Sequence, residues 1–207
     1  MIGLAGEGGG LGGIAPEIEQ AFSPGGLLSK SSDFEFRPQQ MEMAVAVAKA
    51  LEGGRSLVAE AGTGVGKSLA YLLPAAKYAL ESGRKGIIST HTINLQEQLI
   101  RKDIPIVRKL LGDDLPAVLL KGRQNYLCPA RLARARQQTR DLFTTSENDE
   151  LEAIARWAEA TSDGTLSDLD FQPSTKVWLQ VCSEAHLCTT RHCGPRGNCF
   201  FQEARKG

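Results

Sequence analysis

The sequence predicts an α/β fold in which a domain built on a parallel sheet is followed by a mainly helical unit. Three observations support this prediction. An apolar run leads through a glycine-rich loop into a helical pattern at residues 55–82, and apolar runs alternate with helical patterns up to about residue 120. Four of the five cysteines lie beyond residue 180. Alternating strands and helices are typical of a parallel sheet, whereas clustered cysteines indicate a separate unit.

The glycine-rich loop is the segment AGTGVGKS at residues 61–68. It follows a predicted strand and precedes a predicted helix, which is the order that a phosphate-binding P-loop requires. Its glycines let backbone N–H groups turn toward an anion, and the helix start adds the positive end of its dipole. Lys67 is expected to reach the outer phosphates of a nucleotide, and the Ser68 hydroxyl to ligate Mg²⁺. The residues expected at the nucleotide are Gly62, Thr63, Gly64, Val65, Gly66, Lys67 and Ser68.

The elements around this loop follow from hydrophobic periodicity. Strands are predicted at 55–60, 86–90 and 117–120, and helices at 41–51, 67–82 and 94–111. Pro105 is expected to kink or split the last of these helices, because proline removes a backbone donor from the helix interior. This succession predicts a partial RecA-like P-loop domain.

Composition divides the chain into three segments. Residues 1–32 are rich in Gly and Ser and are predicted to form a flexible N-terminal arm. The RecA-like segment is expected at 33–120. At 121–207 the pattern changes to helical stretches near 129–143 and 147–160, followed by loop-rich sequence and the cysteine cluster. This last segment is interpreted as a unit inserted after the third strand.

Charge is balanced overall, with 24 basic and 24 acidic side chains, but it is unevenly distributed. The stretch 115–140 contains Lys and Arg without Asp or Glu, whereas nearly all the charged residues among the following thirty are acidic. A basic face beside an acidic one suits a groove for a polyanion, although two solvated helix faces explain the charges equally well. The sequence has neither a signal peptide pattern nor a membrane-length apolar run, so a cytoplasmic protein is expected.

Five cysteines in a cytoplasmic chain favour metal binding or catalysis over disulfides. The four downstream cysteines are Cys182, Cys188, Cys193 and Cys199, and Cys128 stands alone upstream. Four or five residues separate neighbours in the cluster, which is wider than the usual spacing for structural zinc. Spacing alone leaves zinc, an iron-sulfur cluster and buried structural thiols as open alternatives.

From about Phe22 onward the sequence resembles the DinG and XPD-like DNA helicases of superfamily 2. FRPQQMEM at 36–43 resembles the adenine-sensing segment of that family, with Gln40 as the reader and Arg37 beside it. EAGTGVGKS at 60–68 resembles its motif I, and STHTINLQEQL at 89–99 resembles its motif Ia. KGRQNYLC at 121–128 is the most specific string, because in the family it leads into the first cysteine of an iron-sulfur cluster. The pattern from VWLQV to Ala204-Arg205 resembles the region of the other three.

The resemblance implies an ATP- and Mg²⁺-dependent DNA helicase that moves 5′ to 3′ along single-stranded or forked DNA, acts as a monomer and serves DNA repair. It implies a 4Fe-4S cluster held by Cys128, Cys188, Cys193 and Cys199, with Cys182 as a nearby free thiol or, less well, as a substitute for Cys188. Motif Ia places Thr90, Thr92 and Gln96 near the DNA backbone. In KGRQNYLC, Arg123 is expected to hold a phosphate and Tyr126 to stack on a base, the alternative being that Tyr126 packs within the cluster unit.

The sequence departs from the family by lacking the acidic motif that holds Mg²⁺ and activates water, and by lacking a second RecA-like domain. The chain is therefore expected to be the N-terminal portion of a longer helicase and to be inactive alone. The main competing interpretation is a non-enzymatic, cysteine-rich zinc module that binds nucleic acid and senses nucleotide through the P-loop. A P-loop kinase or another NTPase is a third, which would leave KGRQNYLC as a coincidence.

Overall fold

The computed structural model describes residues 13–30, 34–112, 115–138, 143–188, 193 and 199–206. The chain divides into two compact units, Met1–Ala117 and Val118–Gly207. This division falls three residues before the boundary predicted from the sequence. Within the described residues, no helix combines the length and the apolar character needed to cross a membrane.

The first unit contains five α-helices in its described part. They are α1 (Ile14–Phe22), α2 (Pro38–Glu52), α3 (Lys67–Ser82), α4 (Ile93–Gln98) and α5 (Ile104–Leu111). A π-helical turn, Leu99–Asp103, separates α4 from α5, and α5 carries Pro105 in its first turn. Proline is tolerated there because the first N–H groups of a helix have no intrahelical partner. The predicted helix thus changes from α- to π-helical turns just before Pro105 without a gap in the chain of helical residues, and a kink at Pro105 stays a prediction.

The prediction of a loose N-terminal arm is wrong for the residues that form α1. This helix places Ile18 and Phe22 in the core against α2 and α3, with 1% of each residue exposed. The carboxylate of Glu52 accepts a 3.2 Å hydrogen bond from the Ala15 N–H, which satisfies one of the unpaired donors at the start of α1. The glycine-rich composition concealed a short amphipathic pattern. A helix this short is stable only when its apolar face packs against other elements, here α2 and α3.

The three predicted strands are absent from the described part of the chain. Residues 55–60, 86–90 and 117–120 are described there, but they form no strand ladder. Apolar side chains expected inside a sheet are exposed instead, 97% for Val58 and 75% for Ile87. An apolar run indicates that a segment is buried, but a strand also requires a neighbouring strand whose backbone N–H and C=O groups pair with its own. The parallel sheet therefore remains an expectation.

The second unit contains four α-helices in its described part. They are α6 (Pro129–Gln137), α7 (Thr145–Ala160), α8 (Thr175–Val181) and α9 (Phe200–Lys206). Helix α6 ends six residues before the predicted limit of 143. The core joins Leu132 of α6, Leu151 and Ile154 of α7, and Val177 and Val181 of α8. The unit is mainly helical, as predicted.

A capping box fixes the start of α7. The Thr144 hydroxyl accepts a 3.4 Å hydrogen bond from the Glu147 N–H, and the Glu147 carboxylate accepts one of 2.8 Å from the Thr144 N–H. These two bonds satisfy donors that the first turn leaves unpaired. Lys176 of α8 contacts the same carboxylate at 2.9 Å and ties the two helices together.

Candidate nucleotide site and cysteine pocket

The glycine loop adopts the conformation that a phosphate cradle requires. Gly64 and Gly66 both have φ of 80°, in the left-handed region that side chains disfavour. Gly66 caps α3, so that helix begins directly at Lys67, as predicted. The Lys67 ammonium group donates hydrogen bonds to the carbonyl oxygens of Ala61 at 2.8 Å and Gly62 at 2.7 Å. The loop is thus closed around its own lysine at the positive end of a helix.

Arg37 and Gln40 contact the same loop from the start of α2. Nε2 of Gln40, which is buried, donates a 2.9 Å hydrogen bond to the Gly66 carbonyl oxygen. Arg37 donates from Nη1 to the Gly64 carbonyl oxygen and from Nη2 to Glu35 at 2.8 Å. The structure therefore joins the sequence segment expected to sense adenine to the loop expected to hold phosphate.

The remaining loop residues are more open, and one neighbour was missed by the sequence reasoning. Thr63 is exposed, and Val65 and Ser68 are half-buried. The Ser68 hydroxyl hydrogen bonds to Tyr71, one turn further along α3, while burial raises the pKa of that tyrosine. Tyr71 lies within the helical pattern after the loop, where only its spacing from Ser68 would have indicated this contact.

The predicted DNA-contact residues of the first unit surround the start of α4. Thr92 caps this helix, and its hydroxyl accepts a 3.3 Å hydrogen bond from the Leu95 N–H. The Thr90 hydroxyl donates to the Thr92 carbonyl oxygen at 3.0 Å, and the Gln96 N–H donates to the same oxygen at 3.1 Å. The three residues are brought together around the backbone carbonyl of Thr92.

In the second unit, two antiparallel backbone bridges position the end of KGRQNYLC. Leu127 pairs with Cys182, and Tyr126 pairs with Thr165. The Cys128 N–H donates to the Val181 carbonyl oxygen at 2.8 Å, and the Ser183 N–H donates to the Tyr126 carbonyl oxygen at 2.7 Å. The upstream cysteine is thereby held beside the downstream cysteine region, more than fifty residues away in sequence.

Three of the four predicted cluster ligands line one small cavity. Cys128, Cys188 and Cys193 share its wall with Arg131, Arg134 and Glu184, and with Ala130 and Leu187. The Cys188 sulfur lies 3.4 Å from the Ser183 hydroxyl. The fourth, Cys199, does not line this cavity. It precedes α9, where its carbonyl oxygen accepts a 2.9 Å hydrogen bond from the Glu203 N–H. None of the five cysteines, all of which lie in the described residues, forms a disulfide.

Cys182 occupies a different environment from these four. Only 1% of it is exposed, it belongs to the core of α6 to α8, and burial raises the pKa of its thiol. Arg131 donates to the Cys182 carbonyl oxygen at 2.6 Å and contacts Glu184 at 3.3 Å. Cys182 therefore helps to anchor the wall of the cavity without lining it.

Tyr126 lies in the interior of the second unit. Only 2% of the residue is exposed, burial raises the pKa of its hydroxyl, and that oxygen accepts a 3.0 Å hydrogen bond from the Lys121 N–H. Its ring and that of Phe201 form an edge-to-face contact at a centroid distance of 5.5 Å. The predicted role of stacking on a base does not fit this position, because both faces of the ring are enclosed by protein.

Lys121, the first residue of KGRQNYLC, was given no role in the sequence reasoning. It is 4% exposed, and its ammonium group donates to the hydroxyls of Thr165, at 3.3 Å, and Ser167. Trp178 of α8 donates to the Gln124 carbonyl oxygen at 2.9 Å. The whole string is thus anchored by long-range contacts, which the sequence by itself does not show.

Within the described residues, no three His, Cys, Asp or Glu side chains lie close enough together to hold a metal ion. The cysteine pocket nevertheless has the donor chemistry of an iron-sulfur cluster, since thiolates are its usual ligands. Each thiolate of a four-iron cluster binds a different iron, so its sulfurs lie further apart than those around one zinc ion. The donor set of this cavity therefore has the chemistry of an iron-sulfur cluster as well as that of a zinc site.

A left-handed glycine loop closed on its lysine at the start of a helix defines a P-loop nucleotide-binding protein. Comparison with known proteins specifies the class further. Residues 38–157, more than half of the chain, match the DEAD/DEAH box helicase family, and the chain belongs to that family.

Named relatives are similar over most of this chain. The ATP-dependent DNA helicase YoaA of Haemophilus influenzae is 38% identical over 192 residues, which cover 92% of this chain and 29% of the relative. The ATP-dependent DNA helicase DinG of Photobacterium profundum is 35% identical, covering 93% of this chain and 30% of the relative. The ATP-dependent helicase DinG of Mycobacterium tuberculosis is 37% identical, covering 82% and 28%. The chain spans less than a third of the length of these relatives.

Proposed function

We propose that this chain supplies the nucleotide-binding and part of the DNA-binding apparatus of an ATP-dependent DNA helicase. The observation that carries the proposal is the contact of Lys67, Gln40 and Arg37 with the carbonyl oxygens of one glycine loop. Membership of the helicase family and the names of the relatives supply the reaction class.

In the proposed site, the phosphates of ATP displace the loop carbonyls as partners of Lys67. The ammonium group then moves from neutral oxygens to charged ones, which form stronger hydrogen bonds. The Ser68 hydroxyl, which contacts Tyr71 in the structure, would be a ligand for Mg²⁺, and Gln40 and Arg37 would contact the adenine. The protein contributes mainly positioning and charge stabilisation to phosphoryl transfer.

DNA binding is assigned to two places, one in each unit. Thr90, Thr92 and Gln96 present exposed or half-buried polar groups at the start of α4, and such groups contact the phosphate backbone without reading sequence. In the second unit, Arg123 is assigned to bind a phosphate of the DNA backbone. Movement in the 5′ to 3′ direction, a single-stranded or forked substrate and a monomeric enzyme are proposed from the family resemblance.

We further assign a 4Fe-4S cluster to Cys128, Cys188, Cys193 and Cys199. The shared cavity of the first three supports this assignment, and Cys199, which does not line that cavity, is assigned from the family resemblance. The cluster would supply a covalent link between distant parts of the unit. The chain itself orients the thiolates through the bridge between Leu127 and Cys182 and through the contacts of Arg131.

The test of this function is ATP hydrolysis by the full-length protein with and without single-stranded DNA. Lys67→Ala should reduce DNA-stimulated turnover by orders of magnitude, because a phosphate contact that acts in the transition state is lost. Lys49→Ala, at an exposed position of α2, is the matched control and should retain turnover. Normal turnover in Lys67→Ala, or no stimulation by DNA in the unmodified protein, contradicts the proposal.

A further inference from the structure

Two arginines of the second unit share one aromatic ring. The guanidinium carbon of Arg123 lies 4.1 Å from the centroid of the Phe201 ring, and that of Arg205 lies 5.9 Å from it. Both distances fall within the range of attraction between a cation and an aromatic face. Residues from two segments more than seventy positions apart are thus gathered at a single side chain.

The ring that holds them is fixed. Phe201 is 8% exposed, and its ring meets Tyr126 in an edge-to-face contact with an interplanar angle of 73°. Tyr126 is itself buried and hydrogen bonded to the Lys121 backbone. Arginines stacked on such a ring lose little further freedom when they bind a ligand, because their planar groups are already oriented.

Within the described residues, no carboxylate neutralises the positive charges of this pair. Elsewhere in the unit, Arg131, Arg136 and Lys176 each contact a carboxylate. Among the described residues, neither Arg123 nor Arg205 does. The carboxylate nearest in sequence to Arg205, that of Glu203, is paired with Lys206 at 2.6 Å. Two like charges held on one ring repel each other, and a bound anion relieves that repulsion.

The orientation of Arg123 adds a second indication. Its Nη1 atom is buried and has no hydrogen-bond partner in the described structure. The guanidinium is therefore held by the Phe201 ring and not by acceptors of the described residues, and a planar guanidinium carries paired donors. Planar donor pairs of this kind match the oxygens of a phosphodiester.

We infer that Arg123 and Arg205, oriented by Phe201, form a clamp for one stretch of the phosphodiester backbone of single-stranded DNA. Arg123 and Arg205 bind the phosphates, and Phe201 is a positioning residue that acts through them. The inference rests on the proposed helicase function, to which it adds Arg205 and Phe201 as parts of the DNA path. Both arginines are proposed to contact phosphates and not the edges of bases, so binding should not depend on the DNA sequence.

The test is binding of a fluorescein-labelled oligothymidylate to the full-length protein, measured by anisotropy at several salt concentrations. Arg123→Gln and Arg205→Gln should each weaken binding about tenfold at low salt, as expected when one charged hydrogen-bonding contact is removed. Each should also lower the slope of log affinity against log salt by about 0.7, the value for one phosphate contact on a single strand. Arg156→Gln, at an exposed position of α7, is the matched control and should change neither quantity.

Phe201→Leu tests the positioning role. If the ring orients both arginines, Arg205→Gln should have a much smaller effect in the Phe201→Leu background than in the unmodified protein. Iron content and thermal unfolding are measured on every variant, and the exposed position of Arg205 keeps that variant informative even if Phe201→Leu unfolds. Unchanged affinity and salt slope in both arginine variants would overturn the clamp alone. Failure of the unmodified protein to bind oligothymidylate would overturn the proposed function with it.

Discussion

Gln40 reaches across from α2 and donates a 2.9 Å hydrogen bond to the carbonyl oxygen of Gly66, the residue that caps α3. The contact is so close that a Cβ atom on Gly66 would lie 2.2 Å from Nε2 of Gln40. A side chain at Gly66 would therefore meet two obstacles, the left-handed backbone and the Gln40 amide, which would have to move.

The first prediction separates these two requirements. Gly64 and Gly66 share a φ of 80°, but a Cβ on Gly64 would meet nothing within 4 Å. Alanine at either position should cost about 1–2 kcal/mol for the left-handed backbone. Gly66→Ala should lower the thermal unfolding temperature further, because it also displaces Gln40. Equal unfolding temperatures for the two variants, measured without nucleotide, would show that the Gln40 side chain moves aside without a loss of stability.

The second prediction concerns the cysteines. Serine at Cys128, Cys188, Cys193 or Cys199 should remove iron and acid-labile sulfide from anaerobically purified protein and bleach its colour, because cluster binding is coupled to folding. Cys182→Ser should retain both, since its thiol lies in the core and not on the cavity wall. Zinc without sulfide would favour the zinc module instead. Loss of iron in Cys182→Ser with retention in Cys188→Ser would show that the ligand set is wrong.

The third prediction concerns the stability of the second unit against acid. Hydrogen bonds from Lys176 and from the Thr144 N–H hold the pKa of Glu147 below its ordinary value of 4.5. A carboxyl with a lowered pKa stabilises the fold while it is ionised, and this stabilisation is lost as the pH falls through the folded-state pKa. Glu147→Gln should therefore lower the urea midpoint at pH 7, and the difference from the unmodified protein should shrink as the pH falls below 4.5 and vanish once the pH lies below the lowered pKa of the folded state. Glu159→Gln, at an exposed position of the same helix, should show no such difference.

The fourth prediction concerns the docking of α9. Gly164 has φ of 62°, and a Cβ there would lie 2.2 Å from the Phe200 ring. Gly164→Ala should destabilise the protein more than Gly83→Ala, because Gly83 has a similar φ of 65° but open surroundings. Thermal unfolding of both variants tests this, and similar values would mean that Phe200 repacks without cost.

The sequence alone predicted those features that depend on residues close to one another along the chain. The order of glycine loop and helix and the limits of α3 both depend on residues within one or two turns of each other. The same holds for the mainly helical character of the second unit, which follows from hydrophobic periodicity. Such features are present in any short window that contains the relevant residues.

Tertiary structure decided the rest, because those features depend on contacts between residues distant in sequence. The pairing of Leu127 with Cys182 brings Cys128 to the cysteine pocket and turns Tyr126 inward. Helix α1 forms where its apolar face meets α2, which composition concealed. Apolar runs such as that around Val58 predicted strands, yet a strand exists only where a neighbour supplies its hydrogen bonds. The sequence by itself thus determined the phosphate loop, and the long-range packing decided which side chains surround it and which cysteines line one cavity.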